Sequence, residues 1–120
     1  MNLLKETVAV LRDNGYGMDD IESVQGGDVR ISIDRFKKLA NREYDDGYGA
    51  QEVAEDLVIL LKDGSWLSRA EYDGSEWWRF NKRPDVVAEI GDDKVHTLIA
   101  GGLGTMWTSL AAMNGINKED

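Results

Sequence analysis

Leu57–Phe80 reads LVILLKDGSWLSRAEYDGSEWWRF, three runs rich in Val, Ile, Leu, Trp, Tyr and Phe separated by Asp63-Gly64 and Asp73-Gly74. Asp-Gly between such runs is the strongest short-range hairpin signal, because both loop residues must tolerate positive φ. The stretch therefore predicts a three-stranded antiparallel meander over about residues 57–81. If each Asp-Gly is a two-residue loop, Lys62 faces Ser65 and Tyr72 faces Ser75. One face then carries Leu57, Ile59, Leu61, Trp66, Ala70, Tyr72 and Trp77. The other carries Val58, Leu60, Leu67, Trp78 and Phe80, with Arg69, Glu71 and Glu76. Both faces are apolar, so both are expected to be covered. The N-terminal and Phe36-bearing helices would cover one, and a C-terminal helix or a partner protein the other.

The same register sets Glu71 across from Glu76, and like charges directly opposite destabilise a ladder. A bulge, an intervening Arg69 or Arg79, or a cationic ligand such as a metal or an arginine of a partner would each resolve the conflict.

Outward from the meander, Leu3, Leu4, Thr7, Val8 and Leu11 form one apolar stripe, predicting a helix over Asn2–Asp13 that Asn14-Gly15 stops. Ile21–Gln25 and Val29–Ile33 predict a further hairpin about Gly26-Gly27-Asp28. Ser32 or Asp34 can cap a middle helix from Arg35 to about Tyr44, with Phe36, Leu39, Ala40 and Glu43 on its inner face. Gln51–Glu55 reads as a turn of helix. Arg83-Pro84-Asp85 ends the meander, since Pro cannot continue a central ladder. Val95–Met113, VHTLIAGGLGTMWTSLAAM, contains no Asp, Glu, Lys or Arg and reads as a buried or interface helix rather than a bilayer span. The expected architecture is one α+β domain over residues 1–120, with 114–120 a frayed polar tail.

The chain has 120 residues, 14 Lys plus Arg against 23 Asp plus Glu, and a net charge of −9. Such acidity disfavours direct nucleic-acid binding and favours fast association with a basic surface, although it also serves solubility. Cysteine is absent, which excludes disulfides, zinc-thiolate sites and Cys nucleophiles and fits a cytoplasmic setting. The stretch MNLLKETVAVLRDNG lacks the basic n-region and apolar h-region of a signal peptide.

From Glu43 to Asp56 there are six acids and no Lys or Arg, interleaved with Tyr44 and Tyr48. A solvated loop and an interaction surface both fit that pattern. Asp45 to Asp56 has the length of a calcium loop, but Gly47 and Gly49 stand where oxygen ligands are needed, so an EF-hand is excluded. His96 is the only histidine and lies in an apolar run. Gly101-Gly102-Leu103-Gly104-Thr105 lacks the Gly-Lys-Ser/Thr end of a P-loop. No Gly-x-Ser-x-Gly is present, and neither a catalytic residue nor a metal or cofactor site is expected. Glu71 and Glu76 are the carboxylate pair that a glycosidase-like reading would use.

The run Tyr44-Asp45-Asp46-Gly47-Tyr48-Gly49, followed by Asp56-Leu57-Val58-Ile59, Asp63-Gly64, Trp66-Leu67, Arg69 and Glu71-Tyr72-Asp73-Gly74-Ser75-Glu76-Trp77-Trp78, resembles a family of small acidic proteins from phages, prophages and other mobile elements. The resemblance covers about Ile21–Pro84. It implies a context rather than a reaction and carries over no binding residues. By class, it implies a stoichiometric inhibitor of host defence, anti-CRISPR proteins among them. The leading expectation is a non-enzymatic inhibitor that presents an acidic, aromatic-flanked surface to a basic host nucleic-acid-handling protein, with a CRISPR effector as one candidate. Its expected contacts are Asp45, Asp46, Tyr48, Glu52, Asp56, Glu71, Asp73 and Glu76. The alternatives are an assembly protein that dimerises through Val95–Met113, and a carboxylate- or metal-dependent hydrolase.

Overall fold

The computed structural model describes residues 1–47, 49–99 and 108–116. Two compact units divide the chain, Met1–Pro84 and Asp85–Asp120. The first holds helix α1 (Leu3–Asp13), strands β1 (Ile21–Gly26) and β2 (Val29–Ile31), helix α2 (Ile33–Ala40), and strands β3 (Leu57–Leu61), β4 (Trp66–Tyr72) and β5 (Ser75–Asn81). The fold is α+β. The meander β3-β4-β5 is present, but as three strands of a five-stranded antiparallel sheet ordered β2-β1-β3-β4-β5. The hairpin β1-β2 adds to it through β1, which pairs Val24 with Ile59 and Gln25 with Val58.

Helix starts follow the local chemistry. The Asn2 side chain caps α1 by accepting from Lys5 N at 3.0 Å, and Ser32 caps α2 by accepting from Arg35 N at 3.0 Å. The middle helix ends at Ala40 rather than Tyr44, and Gln51–Glu55 forms no helix. Asn2 and Glu43 form a bridge instead, which draws the segment after α2 alongside the start of α1.

The two Asp-Gly loops differ. At the β4-β5 turn both residues have positive φ, 51° at Asp73 and 87° at Gly74, so Tyr72 pairs with Ser75 as expected. At the β3-β4 turn only Gly64 does, with φ 92°. That loop has three residues, Lys62-Asp63-Gly64, with Leu61 N donating to Ser65 O at 2.8 Å and Asp63 Oδ1 accepting from Ser65 N at 2.8 Å. The expected pairing of Lys62 with Ser65 is therefore off by one, and Ile59 pairs with Leu67. A slip of one residue exchanges every side chain between faces. Leu57, Ile59 and Leu61 thus share a face with Leu67, Arg69, Trp78 and Phe80, not with Trp66.

This face is the core. Leu11 of α1 and Phe36 and Ala40 of α2 pack with Ile21, Val24, Ile59, Leu61, Leu67 and Trp78 in one buried cluster. Both helices lie on this side, α1 against β5 and α2 against β1. The opposite face carries Val58, Leu60, Trp66, Ala70, Tyr72 and Trp77, with Tyr72 75% and Trp77 39% exposed. Two helical stripes are rotated from expectation. In α1, Val8 is exposed while Glu6 is buried, and in α2, Leu39 is 54% exposed.

In the second unit the expected helix over Val95–Met113 does not form across Val95–Ile99, and residues 100–107 lie outside the described residues. Asn114 Oδ1 takes the His96 and Thr97 N–H groups at 2.8 and 3.1 Å, and Thr97 Oγ1 takes Ile99 N at 3.1 Å, so these amides leave the helical ladder. A short helix α3 (Leu110–Met113) follows its Ser109 cap. Val86, Val87, Ile90, Leu98 and Ile99 are exposed, and Val86–Ile90 forms no strand.

Candidate functional site

Glu71 and Glu76 are cross-strand partners on one face, as the register requires. Arg69 resolves their conflict. It lies one pair along on the same face, and its Nη2 donates to Glu76 Oε1 at 2.9 Å. The three charged side chains at the centre are almost withdrawn from water. Arg69 is 5%, Glu76 3% and Glu6 of α1 8% exposed, and Arg69 Nη1 stands 3.5 Å from Glu6 Oε2. Tyr44 completes the group by donating to Glu6 Oε1 at 2.5 Å and accepting from Arg69 Nη2 at 3.1 Å.

Two carboxylates against one guanidinium leave a surplus negative charge, which backbone amides absorb. Glu76 accepts from Glu52 N at 2.6 Å and Val53 N at 3.3 Å, and Glu6 accepts from Trp78 N at 3.0 Å. Charge-assisted bonds of this kind replace the hydration that a carboxylate loses on burial. Arg69 Nε and Nη1 lack hydrogen-bond partners among the described residues. The guanidinium instead faces Trp78, 4.7 Å from the ring centroid, and Tyr44, 5.7 Å away, and ring faces attract cations. Burial disfavours the charge on Arg69, but the Tyr44 and Glu76 bonds and the attraction of Glu6 outweigh it and raise its pKa.

Burial, followed by the bond to Glu6, holds the Tyr44 phenol above its ordinary range, with Arg69 pulling the other way. An unfolded tyrosine releases its proton near about pH 10, whereas folded Tyr44 keeps it. The stability linked to this proton is full below that pH and is lost as pH rises from there toward the folded value. Tyr44→Phe is expected to flatten this alkaline loss, read as urea midpoints of both proteins between pH 8 and 11.

The group fastens the acidic loop to the outer edge of β5. Glu76 N donates to Asp46 O at 2.9 Å, and Trp78 N is taken by Glu6, so two outward amides of this edge strand are covered. Gln51 Nε2 donates to Glu71 Oε2 at 3.2 Å. The expected contact residues thereby separate into two kinds. Asp45, Glu52, Asp56, Glu71 and Asp73 are exposed and Asp46 is half-buried, whereas Tyr48 lies outside the described residues. Glu76 is 4% exposed and committed to internal partners. Its burial removes it from the contact surface and makes it the post that holds that surface in place. Asp56 reaches the β1-β2 turn, where a Cβ added at Gly26 would lie 3.0 Å from Asp56 Oδ1.

All of these acids gather at the end of the sheet formed by the β1-β2 turn, the entry to β3 and the β4-β5 turn. Arg69, the buried cation of this region, is already paired, while Arg30 beside the β1-β2 turn and Arg42 near Glu52 are exposed. At the far end lie Lys62, Lys82 and Arg83, together with Asp63, which accepts from the Tyr16 hydroxyl. That bond, and then Ser65 N–H, lower the Asp63 pKa. Among the described residues no group of three or more His, Cys, Asp or Glu could hold a metal, and no helix is long and apolar enough to cross a membrane. Comparison with protein-family models, curated proteins and solved structures finds no match.

Sequence reasoning missed Glu6 and the inward role of Tyr44. Glu6 had a signal, because it falls between Leu3 and Val10 at helical spacing on the face that carries Thr7 and Leu11.

Proposed function

We propose that the protein is a non-enzymatic inhibitor of mobile-element origin that binds a basic site on a host nucleic-acid-handling protein. Host-defence nucleases, CRISPR effectors among them, offer such sites. The observation that carries this reading is the union of two acidic segments, Asp45–Asp56 and Glu71–Asp73, at one end of the sheet. Neither segment contains a free Lys or Arg. A surface of one sign raises association rates with an oppositely charged partner and rejects like-charged ones. Tyr72 and Trp77, exposed beside the β4-β5 turn, supply the amphipathic contact area that interfaces favour.

The test is affinity capture from nuclease-treated bacterial lysate with the wild type and with Asp45→Lys/Glu52→Lys. The wild type is expected to retain a basic protein that the double variant loses by at least about tenfold, since like-charge juxtaposition costs several kcal/mol. Equal retention by both proteins, or loss of the captured protein on nuclease treatment, overturns the reading.

A further inference from the structure

We propose that a cavity beneath the acidic loop receives one large apolar side chain from the basic partner. This rests on the partner reading above. The cavity encloses about 230 Å³, below the roughly 300–1,000 Å³ of sites that take drug-sized ligands. It therefore suits a single anchoring side chain rather than a nucleotide or cofactor.

Its floor is half-buried and apolar: Leu3, Tyr44, Val53 and Leu57. The hydroxyl and N–H groups of that floor are already used. The Tyr44 hydroxyl serves Glu6 and Arg69. Glu52 N and Val53 N serve Glu76. Leu3 N donates to Arg42 O, Tyr44 N to Met1 O and Leu57 N to Ala54 O. An occupant that needs a donor would find none on that floor and would forfeit its hydration, which a buried polar group cannot afford without a replacement bond. An apolar occupant loses nothing.

The surroundings choose what flanks that side chain. Of the charged residues in its lining, Glu52 and Arg42 are exposed and Glu43 is paired with the N-terminal ammonium at 3.2 Å. Asp45, whose N–H donates to Glu52 Oε2 at 3.3 Å, and Glu55, next to the lining Ala54, add exposed acid on the loop side. Lys38 lies next to Leu39 on the helix side. Leu39, 54% exposed, forms an apolar lip. An apolar anchor flanked by lysine or arginine complements both parts, in the pattern of a buried anchor inside a polar rim.

The probes are two capped peptides, Lys-Arg-Phe-Lys-Arg and Lys-Arg-Ala-Lys-Arg, titrated into the isotope-labelled full chain and followed by amide NMR shifts. The phenylalanine peptide is expected to bind at least about tenfold more tightly, from the apolar area it buries, and to move Val53 and Leu57. Leu39→Gln, at an exposed position, and Ala54→Phe, which fills the cavity, are each expected to abolish that preference and leave the alanine peptide unaffected. Equal binding of both peptides with the cavity amides unmoved overturns the cavity and leaves the acidic surface standing. No binding of either peptide at millimolar concentration overturns both. Cavity amides that move with protein concentration alone assign the site to a second copy of the chain, which likewise overturns the proposal.

Discussion

Arg69→Met lowers the free energy of unfolding by about 3–5 kcal/mol, the cost of removing one partner from a buried ion pair. The methionine fills similar space, so the loss is electrostatic rather than a cavity effect. It strands Glu6 and Glu76, whose side chains are 8% and 3% exposed. It also leaves the face of Trp78 without its cation and the Tyr44 oxygen without a donor. Natural domains are stable by only about 5–15 kcal/mol, so the variant sits close to unfolding at room temperature. The measurement is the urea midpoint at pH 7, with the slope compared between proteins. Removing all three charges with apolar residues is not expected to restore the wild-type value. Trp78 N, which is buried, would then lack its acceptor, and an unpaired buried amide costs about 1–3 kcal/mol, while Glu52 N and Val53 N would lose theirs at a partly buried position. A loss under about 1 kcal/mol for Arg69→Met would mean that water reaches the carboxylates.

The second large effect is a contrast between two glutamates that face each other. Glu76→Gln is expected to cost about 2–4 kcal/mol, because the amide loses the ion pair with Arg69 and turns a donor toward Glu52 N or Val53 N. Glu71→Gln is expected to stay within about 0.5 kcal/mol. Glu71 is exposed and bound only to Gln51 among the described residues, and the change also relieves like-charge repulsion across the ladder. Both values come from the same urea measurement. Equal costs for the two substitutions would show that Glu76 is not the buried post described above.

This contrast also marks how far the sequence could be read. Asp73-Gly74 specifies a two-residue loop, so the facing of Glu71 and Glu76 was legible, and Arg69 was one of the groups that could reconcile them. Asp63-Gly64 looks identical in sequence, yet Asp63 turns back to bond Ser65 N–H and only Gly64 takes positive φ. Nothing local distinguishes these outcomes, and the slip exchanged the faces of Trp66, Leu67 and Trp78. Glu6 and Tyr44 were hidden for a different reason. They lie 72 and 25 residues from the groups they meet, Trp78 and Arg69, and no periodicity encodes that meeting. The acidic run was plain in the sequence, but its fastening to β5 through Glu76 was not. The homo-oligomer reading began from an apolar helix over Val95–Met113, whereas the His96, Thr97 and Ile99 amides go to Asn114 and Thr97 instead.

The proposed division of labour among the acids, with Glu6 and Glu76 holding the fold and the exposed Asp45, Glu52, Glu71 and Asp73 left for the proposed partner, is tested most directly by association kinetics. The captured partner should bind the wild type at a rate that falls by at least about tenfold between low and high salt. Asp45→Lys/Glu52→Lys should bind slowly at every salt concentration while keeping the wild-type urea midpoint. A rate independent of salt, or a double variant that associates as fast as the wild type, would show that the acidic end of the sheet is not the binding surface.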